Sequence, residues 1–163
     1  MKKLILIRHG KSGWDSPWLS DHDRPLAERG IADVPHMARR LQERGLLPDL
    51  IVSSTALRAA DTARLTAAVF GYSESQIVFE KSLYHASPEE LLAVICRQSE
   101  TVQTLVLVGH NPGLTELIQD LGTNLDNLPT AGQFGYTLSD TRWSDFAAEK
   151  ISTVWIDYPK KLG

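Results

Sequence analysis

Four short runs of branched and long apolar residues punctuate the chain: Leu4 to Ile7, Leu50 to Val52, Ile77 to Phe79 and Leu105 to Val108. None alternates with polar residues, so each reads as a strand buried on both faces rather than one with a wet side. The segments between them can hold a helix, and parallel neighbours need a crossover of about a dozen residues or more. This pattern selects an α/β fold, a three-layer sandwich in which a mostly parallel sheet lies between helices on both faces. Two later runs, Gln133 to Leu138 and Ile151 to Trp155, bring the expected sheet to about six strands. With no repeat, low-complexity segment or shift of composition, residues 1–163 read as one domain.

The helices carry their own punctuation. The first is expected from about Ala27 to Arg44, with Ile31, Val34, Ala38 and Leu41 on its inner face, a kink or late start at Pro35, and Gly45 as its stop. Ser54 or Thr55 is expected to cap an alanine-rich second helix running through Leu57, Ala60, Ala63 and Ala67. Ser87-Pro88-Glu89-Glu90 predicts a third helix with a capping box and a proline at its first position. Asn111-Pro112 opens a fourth, which buries Leu114, Leu117, Ile118 and Leu121 and ends at Gly122. The longest irregular stretch, Lys11 to Arg24, is long for a structureless loop and is a candidate lid.

Charge and cysteine content exclude several classes of function. Seventeen basic against 20 acidic residues give a net charge of -3, so no global basic field attracts nucleic acid or an anionic membrane, and any anion site must be local. Cys96 is the single cysteine, which forbids an internal disulfide and suits the reducing cytoplasm. The apolar start ends at Arg8-His9, short of the roughly 7–15 apolar residues of an export segment, and no run approaches the roughly 20 residues of a membrane span.

Three of the strands run into polar residues at their carboxyl ends, where open α/β sheets place ligands. The first leads to Arg8 and His9, the second through Ser53 and Ser54 to Arg58, and the fourth to Gly109 and His110. On neighbouring strands these would gather two guanidinium forks and two imidazoles, an inventory for binding a phosphoryl group and attacking it. Arg58 in the first turn of a helix opposes the dipole unless an anion accompanies it, and amides at the start of the fourth helix would add donors. Asp21-His22-Asp23 has too few ligands for a metal and reads as solvated. Gly10-Lys11-Ser12 lacks the earlier glycine of a nucleotide loop, since Ile5 stands there. His36 is expected in solvent and Cys96 in the core, while Lys160-Lys161 reads as a basic end. Trp14 and Trp18 are expected either to line a substrate mouth or to pack the loop onto the body.

Leu6-Ile7-Arg8-His9-Gly10, Ser53-Ser54-Thr55-Ala56-Leu57-Arg58 and Val108-Gly109-His110-Asn111-Pro112 together resemble the three motifs of the histidine phosphatase superfamily, which is phosphoglycerate mutase-like in fold. Lys11-Ser12, Asp23-Arg24-Pro25-Leu26 and Leu128-Pro129-Thr130 are similar to the short SixA-type phosphohistidine phosphatases. The resemblance implies that His9 accepts the phosphoryl group while Arg8, Arg58 and His110 hold and neutralise it. Gly10, Lys11, Ser12, Asn111 and His85 are expected to line the substrate, without cofactor or metal. In one place the chain departs from the ester-hydrolysing relatives. Where they carry a glutamate acid, Leu83-Tyr84-His85 stands here, and Glu90 is already explained by the capping box. An alkoxide must be protonated to leave, whereas an imidazole leaves near neutrality with little help, so the lost carboxylate favours phosphohistidine on a protein. His85 or Glu89 remains a candidate donor. The alternatives are a phosphatase of small phosphate esters, and a non-catalytic module that binds phosphoproteins.

Overall fold

The computed structural model describes residues 1–161. Six strands form one sheet in the order β3-β2-β4-β1-β5-β6. They are β1 (Lys3–Arg8), β2 (Leu50–Ser54), β3 (Ile77–Glu80), β4 (Thr104–Gly109), β5 (Gln133–Leu138) and β6 (Ile151–Asp157). The first four are mutually parallel, β5 runs antiparallel to β1, and β6 antiparallel to β5. Most strands extend a residue or two past their apolar runs, because ladder hydrogen bonds continue into the polar residues that carry the site.

Both faces of the central strands are dry. Leu4, Leu6, Leu105 and Leu107 face α3 (Pro88–Cys96) and α4 (Gly113–Asp120), joined by Trp143 and Phe134. The alternate residues Ile5, Ile7, Val106 and Val108 face α1 (Glu28–Glu43) and α2 (Leu57–Val69), whose Ala59, Ala63 and Ala67 let the helix lie close to the sheet. Each such leucine contributes about 2–3 kcal/mol by leaving water, which is why the central runs are uninterrupted. At one edge β3 departs from the expectation of burial on both faces, since Val78 is exposed. At the other, Trp155 lies on Gly135, where an added Cβ would overlap its ring, and Arg44 covers that ring at 3.8 Å.

The helix expectations need four corrections. α1 runs unbroken through Pro35, and Ile31 is on its exposed side, where the carbonyl that loses its partner to proline lies toward water. α2 begins after Ala56, with no side-chain cap; Ser54 Oγ accepts from the Ala56 amide before the helix starts. Pro112, not Asn111, flanks the start of α4, and Asn111 Oδ1 instead accepts from the Thr115 amide and hydroxyl. Cys96 is only partly buried, at the rim of the core. The capping box stands as read: Ser87 Oγ accepts from the Glu90 amide and the Glu90 carboxylate accepts from the Ser87 amide. Gly45 and Gly122 take positive φ and close their helices, with the next amides reaching back to Leu41 and Ile118.

Candidate active site

The sheet order decides where chemistry can occur. β1 lies beside β4 and β4 beside β2, so the carboxyl ends bearing Arg8, Gly109 and Ser54 are adjacent. After β1 the chain turns to α1 on one face, and after β4 to α4 on the other, which opens a crevice between the two strands. His9 continues the ladder by one step, its amide donating to the Gly109 carbonyl at 3.1 Å. His110 follows on the neighbouring strand, and the two imidazole centroids are 5.1 Å apart.

His9 is buried and its Nδ1 lies 2.7 Å from the Gly10 carbonyl oxygen. A carbonyl can only accept, so Nδ1 carries the proton and the lone pair is at Nε2. Burial pulls the His9 pKa down to about 4 against the opposing Gly10 hydrogen bond, and the charges of Arg58, Arg8 and Arg24 lower it further. The ring is therefore neutral and nucleophilic at physiological pH. His110 Nε2 is 2.8 Å from Ser54 Oγ; burial, then the proximity of His9 and Arg58, bring its pKa to about 3.

Both guanidinium groups are held from outside. Arg8 Nη1 donates to the Leu128 carbonyl at 3.0 Å, and Arg58 Nη1 donates to the Asp21 carbonyl at 2.6 Å. Arg8 Nε, Arg58 Nε and His110 Nδ1 are buried without a hydrogen-bond partner among the described residues. Leaving such groups unpaired costs about 1–3 kcal/mol each, a cost that an oxyanion accepting from them removes. Thr62 ties the two halves together, accepting from the Gly10 amide and donating to the Arg58 carbonyl.

Other expected site residues have structural work. An added Cβ at Gly10 would meet Val34 at 2.8 Å, so the glycine permits close packing of the loop. Ser12 Oγ accepts from Arg24 Nη1 at 2.7 Å, while the Lys11 side chain is exposed and its carbonyl accepts from the Ala27 amide. The Asn111 amide nitrogen donates to Asn127 and Leu128, which fastens the loop under Arg8. Because the Leu114 and Thr115 amides are taken by the His110 carbonyl and the Asn111 side chain, α4 offers fewer free donors than expected. His85 stands at the mouth with positive φ, 4.0 Å from the Tyr84 ring and 6.3 Å from the His110 ring.

The loop Lys11 to Arg24 is neither structureless nor solvated throughout. Ser12 bridges Leu26, and residues 21–23 form a helical turn at the site, with His22 Nε2 2.9 Å from Thr55 Oγ1. Asp21, read from sequence as solvated, receives Arg58 Nη2 at 3.1 Å, the Tyr84 hydroxyl at 2.5 Å and Arg24 Nε at 3.1 Å. The Tyr84 hydroxyl, then Arg58 and Arg24, hold its carboxyl well below the usual carboxylate range. Trp14 and Trp18 are exposed, so neither packs the loop onto the body, although Arg24 lies 3.6 Å over the Trp14 ring. Asp21, Tyr84 and Ser54 were missed as site residues. The only signal for Asp21 was its spacing of three from Arg24.

Three arginines and one aspartate leave the site locally cationic around two neutral imidazoles, within a chain that is acidic overall. This is an arrangement suited to binding an oxyanion beside a neutral imidazole, at the switch point of an α/β sheet. The family described as histidine phosphatase superfamily (branch 1) matches residues 4–84. A crystal structure described as a candidate phosphohistidine phosphatase SixA from Agrobacterium tumefaciens is 32% identical, covering 83% of this chain and 91% of its own, with a TM-score of 0.75. The protein histidine phosphatase SixA solved with tungstate shares the fold at 21% identity and a TM-score of 0.80, over 96% of this chain and 97% of its own. An uncharacterized chloroplastic protein of Arabidopsis thaliana is 38% identical over 71% of this chain, which spans 56% of that protein's length. An uncharacterized Picosynechococcus protein is 34% identical, over 82% of this chain and 83% of its own. The chain belongs to the histidine phosphatase superfamily.

Proposed function

We propose that this protein is a cytoplasmic phosphatase that removes phosphate from phosphohistidine on a partner protein through a phospho-His9 intermediate. The observation that carries the reading is the hydrogen bond from His9 Nδ1 to the Gly10 carbonyl, which leaves a neutral Nε2 lone pair between two arginines. In the first step Nε2 bonds to phosphorus as the bond to the leaving nitrogen breaks. Arg8, Arg58 and His110 accept the growing charge on the phosphoryl oxygens through donors already in place. With Ser54 donating to His110 Nε2, Nδ1 carries the proton that a phosphoryl oxygen accepts. Water then displaces His9 from phosphorus and releases phosphate. The site asks for no cofactor, since guanidinium groups supply the positive charge that a metal supplies elsewhere.

Two features support a protein substrate. The Trp14 and Trp18 side chains stand in solvent instead of closing a lid, and the His85 side chain is 64% exposed at the mouth. A phosphatase of small esters is the competing reading, and a phosphoprotein-binding module without turnover is the competitor from another class. Mixing the protein with labelled phosphohistidine peptide and quenching separates all three. An acid-labile, base-stable phosphoenzyme and release of phosphate are expected, both lost in His9→Ala while the fold persists. A binding module would retain peptide without release, and His9→Ala with more than a few per cent of the wild-type rate would remove His9 from the mechanism.

A further inference from the structure

An in-line displacement at His9 fixes a direction. The attacking nitrogen and the leaving group lie on opposite sides of phosphorus, and a leaving group attached to a protein must lie toward solvent. His9, His110 and Arg58 are buried, whereas the side chains of Asp21 and His85 are 41% and 64% exposed. From His9 the rings proceed outward through His110 to Tyr84, at 5.6 Å, and then to His85. The Asp21 carboxylate lies over this outer group, bonded to Tyr84 and Arg58 and 3.6 Å from His85 Nε2. Although the sequence lacks a carboxylate at position 85, the loop brings one to the same mouth.

A carboxylate there treats two kinds of leaving group differently. When an N–P bond to imidazole breaks, the electron pair stays on the ring nitrogen, and the ring leaves neutral only if its other nitrogen carries a proton. An N–H on a cationic ring is a strong donor to a carboxylate. A leaving oxygen instead develops negative charge, which a fixed carboxylate repels. Asp21 enters the site with its oxygens engaged, Oδ2 by Arg58 Nη2 and Tyr84 and Oδ1 by Arg24. A carboxylate has about four lone-pair sites and these donors fill three of them, which leaves one on Oδ1 for the N–H of a substrate ring.

We propose that Asp21, held at the mouth by Arg58, Tyr84 and Arg24, accepts the far N–H of the departing imidazole and so selects nitrogen-bonded over oxygen-bonded phosphoryl substrates. The assignment rests on the phosphohistidine reading above and adds the residue that sets the preference. The proton stays on the far nitrogen throughout, the P–N bond to substrate is exchanged for one to His9, and no further reactant is needed.

The test compares kcat/KM for a phosphohistidine peptide and for p-nitrophenyl phosphate in wild type, Asp21→Asn and Asp21→Glu. The readout is the ratio of the two, from which any fraction of misfolded enzyme cancels. Asp21→Asn is expected to lower the peptide-to-ester ratio about tenfold to a hundredfold, the worth of one charge-assisted hydrogen bond, and Asp21→Glu to restore part of it. A ratio unchanged in Asp21→Asn overturns the role of Asp21 and leaves phosphohistidine turnover standing. Wild-type enzyme that cleaves the ester but not the peptide overturns the phosphohistidine reading, and this assignment with it.

Discussion

Acid should destabilise this protein well before its carboxylates are protonated. His9 and His110 are held neutral with pKa values of about 4 and about 3, against 6.5 for a free imidazole. Above pH 6.5 the folded and unfolded states both carry neutral rings, so this contribution to stability is complete. As pH falls below 6.5 the unfolded chain takes up protons that the folded site refuses, and stability is lost until the folded pKa is reached. Between pH 7.5 and 5 the linkage amounts to about 2 kcal/mol for each ring, and about 4 kcal/mol for both. That is a large part of the roughly 5–15 kcal/mol that holds a domain folded. The window excludes Asp21: a carboxyl depressed below 3.8 stabilises fully above that value and loses its contribution only below it. Urea denaturation followed by the fluorescence of buried Trp143 measures the effect. His9→Gln and His110→Gln should each remove about half of the pH dependence. A wild-type loss below about 1 kcal/mol, or a double variant as pH-sensitive as wild type, would refute the claim that both imidazoles are buried neutral.

The remaining predictions concern catalysis. Chelators should leave activity unchanged while orthovanadate, which resembles five-coordinate phosphorus, inhibits; activity lost to a chelator and restored by zinc or magnesium would refute the guanidinium-based mechanism. His85→Glu should raise turnover of alkyl phosphates by up to the roughly 10²–10⁴-fold typical of a positioned acid, with little change on phosphohistidine. A native rate on alkyl esters equal to that on phosphohistidine would show that a proton donor is already in place.

The fold was legible to the extent that burial was symmetrical. β1, β2 and β4 lie between two helical layers, so every residue of their central runs had to be apolar, and no alternation obscured them. β3 at the edge gave a weaker signal because half of it meets solvent. Helix stops at Gly45 and Gly122 were readable because a positive φ there favours glycine. Starts were less so: Ser54 and Asn111 are good caps by type, but their side chains serve the Ala56 amide and the Thr115 turn. A cap preference says that a side chain will accept from a nearby amide, and it leaves open which one.

The site divides along the same physical line. The meeting of Arg8, His9 and His110 was legible because they end or directly follow strands whose neighbours the topology dictates, and Arg58 joins them from the first turn of α2, a short step past β2. Asp21 and Tyr84 were not. Asp21 meets Arg58 across 37 positions and Tyr84 across 63, through a loop whose path depends on Arg24 stacking on Trp14 and bonding to Ser12. Nothing in local spacing encodes such contacts. On the proposed reading the site has two origins, a phosphate half set by the sheet and a leaving-group half set by the loop. The first can stay constant wherever the fold is kept, since the sheet that places it is also the core. Loop sequence can change without disturbing that core, so a leaving-group preference set by Asp21, as proposed, would be free to vary while the sheet-borne residues stay the same.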